Sequence, residues 1–320
     1  MNRTRLLNLL GVAIGVAGIV FVTLRVIRDR AEISDALRSA DLGWLVVAYL
    51  AGTGAMALIG INWLWIIRAT ATPAPIRRGL SWFFVGQLGK YVPGGIWPIV
   101  GQAELAHRGA TPRAVAYSST AMSMVATFLG AATVGAVAGL IAPPDSRWVP
   151  MLVALGVVVV AIALSAPPLR EMAHRVGDRV TKRQLRLPSA QWMGILVARH
   201  LPVWILFSGI NLFTMVALGA RLDAALVFQL ICATCLSWMA GFVIVGVPGG
   251  IGVRETVFIS LMTAPIGGPL AVSVAVVARV VSIVVDLAAA AVSVPVARSA
   301  PRPETPPRDE AGEPKGYAAP

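Results

Sequence analysis

Residues 224–255 read AALVFQLICATCLSWMAGFVIVGVPGGIGVRE. The opening run of this stretch, residues 224–247, holds no Lys, Arg, Asp or Glu. About 20 apolar residues rising ~1.5 Å each carry a helix across the hydrocarbon core of a bilayer, so the run is long enough to span. Pro248, Gly249 and Gly250 follow at once. They break a helix, because Pro removes a donor and Gly tolerates left-handed backbone. Arg254 and Glu255 come next, charges placed directly after the break.

Similar uncharged runs recur at residues 6–24, 44–67, 115–142 and 149–166. Two more qualify despite internal charge: 192–218, which holds Arg199 and His200, and 269–296, which holds Arg279 and Asp286. In lipid every backbone polar group needs an internal partner, so these runs are predicted to be helices. The expected fold is an all-α polytopic membrane protein of about seven or eight membrane helices. Only 13% of the 320 residues are charged and mean hydropathy is +0.77. A soluble domain carries about 25% charged residues, so this composition excludes a soluble enzyme. The first run is preceded by Arg3 and Arg5 and followed by Arg25, Arg28 and Arg30, with no small-x-small cleavage site. It reads as a retained span.

The net charge of +12 lies in short loops beside the spans, the ordinary topology signal, and does not form the one-sided patch that nucleic acid requires. With a cytoplasmic N-terminus, the inner segments hold 14 Lys and Arg residues and the outer loops hold 6. That bias places both termini in the cytoplasm and the chain in the cell membrane. The loop at 167–191 is basic, either a solvated lipid-facing loop or a docking surface. Residues 1–298 form the membrane domain. Beyond them Pro301, Pro303, Pro306, Pro307 and Pro314 mark a polar tail, 299–320, that is expected to be disordered. Cys232 and Cys235 are read as small residues packing one helix face, and neither a metal nor any other cofactor is expected.

One phrase occurs twice. Leu80-Ser81-Trp82 precedes Val92-Pro93-Gly94-Gly95-Ile96, and Leu236-Ser237-Trp238 precedes Val247-Pro248-Gly249-Gly250-Ile251, about 155 positions later. Paired Pro/Gly interruptions in two halves of a chain mark a transporter site at a repeat interface. Residues 79–89 and 256–264 are too short to span, which predicts two re-entrant helical hairpins. The positive-inside orientation runs them in opposite directions, as an inverted repeat. The run at 224–247 is long enough to cross completely, which would instead put the second break at the inner face.

A charge at mid-membrane costs ~3 kcal/mol or more, so it faces a cavity or a partner. The candidates are Lys90, Glu104, Arg199, Arg254, Glu255, Arg279 and Asp286. Arg254 and Glu255 open a short helix, whose free N–H groups attract an anion. Arg279 and Asp286 lie two turns apart on one face, as a structural ion pair or as headgroup ligands. The candidate substrate-binding set is Lys90, Pro93, Gly94, Gly95, Gln102, Glu104, Pro248, Gly249, Gly250, Arg254, Glu255, Arg279 and Asp286. His200 reads as a packing residue. No paired carboxylates, HExxH or Ser/His constellation points to catalysis, and no GxxxxGK[ST] loop to ATP hydrolysis.

With GKYVPGGIWPIVGQAELAHR at 89–108 and GVPGGIGVRE at 246–255, the chain resembles the lysylphosphatidylglycerol synthase transmembrane family. Arg279 also fits the family pattern. The resemblance implies a lipid-handling membrane domain, regarded in fused members as a flippase for aminoacylated phosphatidylglycerol. It brings no aminoacyl-transferase activity here. Many members carry an Arg and an acidic residue where this chain has the uncharged Ser118, Ser119, Ser123 and Thr127. The expected function is a transporter or flippase for an anionic or aminoacylated phospholipid, moving it downhill or coupled to protons through Glu255 or Asp286. The alternative is a non-catalytic membrane partner of a lipid- or glycan-synthesis enzyme. The expected partners are therefore membrane phospholipids, with such an enzyme in the second reading.

Overall fold

A computed structural model describes residues 20–24, 26–70, 75–92, 97–109, 111–142, 190–243 and 248–298. The predicted span at 149–166, the loop at 167–189, Pro93, Gly94 and Gly95, the tail and most of the first run lie outside these residues.

The described residues are helical, with no strand among them. They form α1 (Arg30–Arg38), α2 (Leu42–Thr70), α3 (Ile76–Gln87), a 3₁₀ turn (Leu88–Tyr91), α4 (Trp97–Arg108), α5 (Arg113–Ile141) and α6 (Ala190–Ala217). Then follow α7 (Ala224–Val243), a second 3₁₀ turn (Pro248–Gly250), α8 (Val253–Ile266) and α9 (Gly268–Arg298). Five of these helices, α2, α5, α6, α7 and α9, are long and apolar enough to cross a membrane. Each coincides with an uncharged or nearly uncharged run of the sequence.

The long helices approach closely because small residues line their contacts. Gly135 of α5 faces Cys235 of α7, where an added Cβ would come within 2.8 Å of the cysteine's own. The cysteines thus serve as small packing residues, both buried. α2 and α6 run antiparallel: Asp41 N–H donates to the Ala217 carbonyl at one end, and Trp65 stacks on Trp192 at the other. Large apolar side chains, Val280, Val284, Leu287 and Val292 among them, stay exposed on the outer face of α9. An apolar outer surface of this kind suits hydrocarbon.

Two helical hairpins fill the middle. In the first, Gly86 of α3 packs on Gln102 of α4, and Gly89 packs on Trp97 and Pro98, so the arms run antiparallel. A Cβ on Gly86 would lie 2.7 Å from the Gln102 backbone nitrogen. In the second, Gly241 of α7 gives way to Arg254 of α8 in the same manner, and Leu261 returns beside Cys232 and Leu236. The repeated Leu-Ser-Trp phrase folds alike in both: Ser81 donates to the Arg78 carbonyl at 2.7 Å and Ser237 to the Thr234 carbonyl at 2.9 Å.

The hairpins lie along opposite halves of α9. Trp82 and Phe83 pack in one apolar cluster with Met56, Trp63, Ala103 and Val285, and Ala297 packs against it. Phe258, Ile259 and Met262 pack in another with Leu230, Ala271 and Val272. Each hairpin points its tip toward the middle of α9, and the tips meet there: a Cβ on Gly249 would lie 3.6 Å from the Lys90 carbonyl oxygen. The second break therefore sits beside the 3₁₀ turn at Leu88–Tyr91, and α7 is itself long enough to span.

Gly86→Ala should cost about 1–3 kcal/mol, because nothing beside it can yield without opening the first hairpin. Gly194→Ala, where an added Cβ meets nothing within 4 Å, should cost nothing. Thermal unfolding in detergent compares the two. Equal stability of both variants would contradict the close packing of the hairpin arms.

Candidate functional site

The two tips, the middle of α9 and the facing sides of α5, α6 and α7 enclose a cavity of about 430 Å³. Of the candidate residues, Lys90, Gln102, Gly249, Gly250, Arg254, Glu255, Arg279 and Asp286 line it. Pro93, Gly94 and Gly95 lie outside the described residues, and Pro248 is described in its backbone alone.

The break at the second tip is built by glycines. Gly249, Gly250 and Gly252 have φ of 57°, 69° and 82°, in the left-handed region that side chains resist. The Gly252 N–H, which opens α8, donates to Glu255 Oε2 at 2.7 Å. A Glu three residues into a helix closes such a cap by reaching back to the free donor. The sequence offers this helix start as an anion site, and the chain's own carboxylate occupies part of it.

Two charged residues of α9 hold the two tips. Asp286 takes the first: Lys90 Nζ lies 2.8 Å from its Oδ1 and 2.7 Å from its Oδ2, and the Tyr91 hydroxyl donates to Oδ2 at 2.5 Å. Arg279 takes the second: Nη2 donates to the Gly249 carbonyl at 3.1 Å, and Nε lies 3.5 Å from Glu255 Oε1. The sequence allowed Arg279 to pair with Asp286. The folded chain instead gives each a partner from a hairpin tip, because the tips bring opposite charges closer than Arg279 and Asp286 are to one another along α9.

Arg254 is left over. Its guanidinium lies over the Trp238 ring, 5.5 Å from the centroid, and its Nε is buried with no hydrogen-bond partner. Among the described residues no carboxylate stands within ion-pair distance of it. The cavity wall thus holds three cations, Lys90, Arg254 and Arg279, against two carboxylates, Glu255 and Asp286.

Three other charged or titratable candidates stand apart from the cavity. Glu104 points away, because two residues along a helix turn a side chain ~200° from Gln102, which faces inward. It accepts from Arg113 at 2.9 Å, with Arg108 at 3.9 Å, and the Arg113 hydrogen bond holds its carboxyl below the usual range. Arg199 donates through Nε to Asn62 Oδ1 at 3.2 Å and lies over the Trp65 ring. His200 is fully buried. Its Nδ1 lies 2.7 Å from the Leu196 carbonyl, which can only accept, so the proton sits on Nδ1.

Sequence reading missed Tyr91, Trp238 and a neutral polar wall. Thr120, Ser123 and Thr127 of α5, Asn211 of α6 and Ser237 of α7 line the cavity. The α5 residues recur at helical spacing on one face of an apolar span, a signal that was present. Tyr91 and Trp238 sit within or beside the repeated phrase, but nothing local tells what they contact.

The profile of a family described as the lysylphosphatidylglycerol synthase TM region matches residues 8–290. The chain belongs to that family. The matched range takes in both hairpins and every residue of the cavity wall. A comparison with curated proteins finds no match. As a member of the lysylphosphatidylglycerol synthase TM family with five apolar helices of spanning length, the chain is a multi-pass membrane protein tied to lipid metabolism.

Asp286→Asn should cost about 2 kcal/mol, since it strands the Lys90 ammonium, which is 28% exposed, without a counter-charge. The double variant Lys90→Met with Asp286→Asn should recover part of that loss. A double-mutant cycle on unfolding in detergent reads the coupling, and strict additivity would contradict the latch.

Proposed function

We propose that this protein moves a phospholipid with an anionic or aminoacylated headgroup between the leaflets of the cell membrane, without catalytic chemistry of its own. The observation that carries this reading is the unmatched Arg254 in a cavity walled by three cations and two carboxylates. A guanidinium matches the geometry of a phosphate, and a half-buried cation whose Nε lacks a partner favours an anion beside it. The headgroup would occupy the cavity while the acyl chains stay in the bilayer.

In this reading the two hairpins are re-entrant and form an inverted repeat. Their opposed placement along α9, and their meeting at its middle, support it. Sites at the meeting point of broken helices, reached alternately from either side, are the transporter arrangement. The positive-inside bias puts both termini in the cytoplasm.

Proteoliposomes of the purified protein, carrying fluorescent phosphatidylglycerol or phosphatidylethanolamine, test the reading. Transbilayer movement of the anionic lipid is expected, with at least a tenfold loss in Arg254→Gln at unchanged folding, because a buried charge contact is worth ~1.4 kcal/mol or more. Movement of neither these lipids nor lysyl-phosphatidylglycerol by folded protein would reject transport. It would favour a non-catalytic partner of a lipid- or glycan-synthesis enzyme.

A further inference from the structure

Taking the cavity as a headgroup site, as proposed above, the chemistry of its wall selects between the two lipid classes. We infer that the lipid bound here carries a bare phosphodiester anion and a hydroxyl-bearing headgroup, and that aminoacylated lipids with a cationic amine are disfavoured.

An ammonium entering a buried site needs a carboxylate to receive it, or it is stranded at a cost of several kcal/mol. The two carboxylates of this wall are both engaged. Asp286, 3% exposed, is bracketed by the Lys90 ammonium on both oxygens and by the Tyr91 hydroxyl on one. Glu255, 10% exposed, gives one oxygen to the Gly252 N–H and faces Arg279 with the other. An incoming amine would displace one of these cations or meet all three without compensation. Like charges set against a wrong ligand supply discrimination that attractive contacts alone do not.

The same wall suits the opposite partner. Arg254 has a buried Nε lacking a partner, and the Trp238 face beneath its guanidinium holds the plane in place. One phosphodiester brings one negative charge, which matches the single excess cation. The rest of the polar lining is neutral, with Gln102, Ser123, Thr127, Asn211 and Ser237 among it. Amides and hydroxyls donate to and accept from alcohol groups. A cavity of about 430 Å³ lies at the small end of ligand sites, the scale of a headgroup rather than a whole diacyl lipid.

The test is retention of lipid by the full chain in native mass spectrometry, after incubation with equimolar phosphatidylglycerol and lysyl-phosphatidylglycerol. Phosphatidylglycerol should be retained in about tenfold preference, and Arg254→Gln should lose that preference while keeping its elution profile. Lys90→Met, which leaves Asp286 without its ammonium, should shift retention toward the lysyl lipid by about tenfold. Equal or greater retention of the lysyl lipid by the wild type would overturn the inference, as would retention of neither, or an Arg254→Gln profile identical to wild type. Selective retention without transbilayer movement would reject transport and leave the inference standing. Movement of the lysyl lipid at the rate of phosphatidylglycerol, matched by unselective retention, would do the reverse.

Discussion

Backbone that leaves the helix inside an apolar bundle must be walled off from hydrocarbon, and the rest of this structure depends on how that is done. Each of the two interruptions is tied to α9 by one charged side chain. Asp286 receives the ammonium and hydroxyl that precede the first break, and Arg279 donates to a carbonyl within the second. The paired apolar clusters then close over the outer parts of each hairpin. What remains between them is a space that side chains do not fill and that charged groups face.

That space has an electrostatic character set by counting and by contact together. Counting alone would leave one cation in excess. Contact identifies which one, because Lys90 and Arg279 are each beside a carboxylate and Arg254 is beside an indole. A cation held by an aromatic face keeps its full charge available to a ligand, whereas a salt-bridged cation has already spent most of it. The excess charge is what gives the site its chemistry.

Much of the fold was legible because lipid imposes long, nearly uncharged runs, and each of the five helices of spanning length coincides with one. The pairing of α3 with α4 and of α7 with α8 was legible from the Pro-Gly-Gly between the helices of each pair. Residues 224–247 are open to two readings, since length alone cannot tell a full crossing from a long hairpin arm, and α7 is long and apolar enough to cross. The site was half legible. Charge at membrane depth is conspicuous, so Lys90, Arg254, Glu255, Arg279 and Asp286 stood out. Their partners did not, because spacing along one helix says nothing about a tip arriving from 30 or nearly 200 residues away. Glu104 looked equivalent to Gln102 in the motif, yet two residues of helical rotation send it outward to Arg113. Tyr91 and Trp238 are uncharged, so charge at membrane depth does not mark them.

Arg279 and Asp286 are seven residues apart, which is two turns less about 20°, so they leave α9 at nearly the same azimuth and ~10 Å apart along its axis. One rigid rod therefore bears both tips. Rolling the rod would carry the two attachments sideways together. Sliding it lengthwise would stretch one attachment while compressing the other, since the hairpins reach it from opposite ends. The two hairpin tips are in this sense geared to a single shaft, and neither can be displaced without the other registering it.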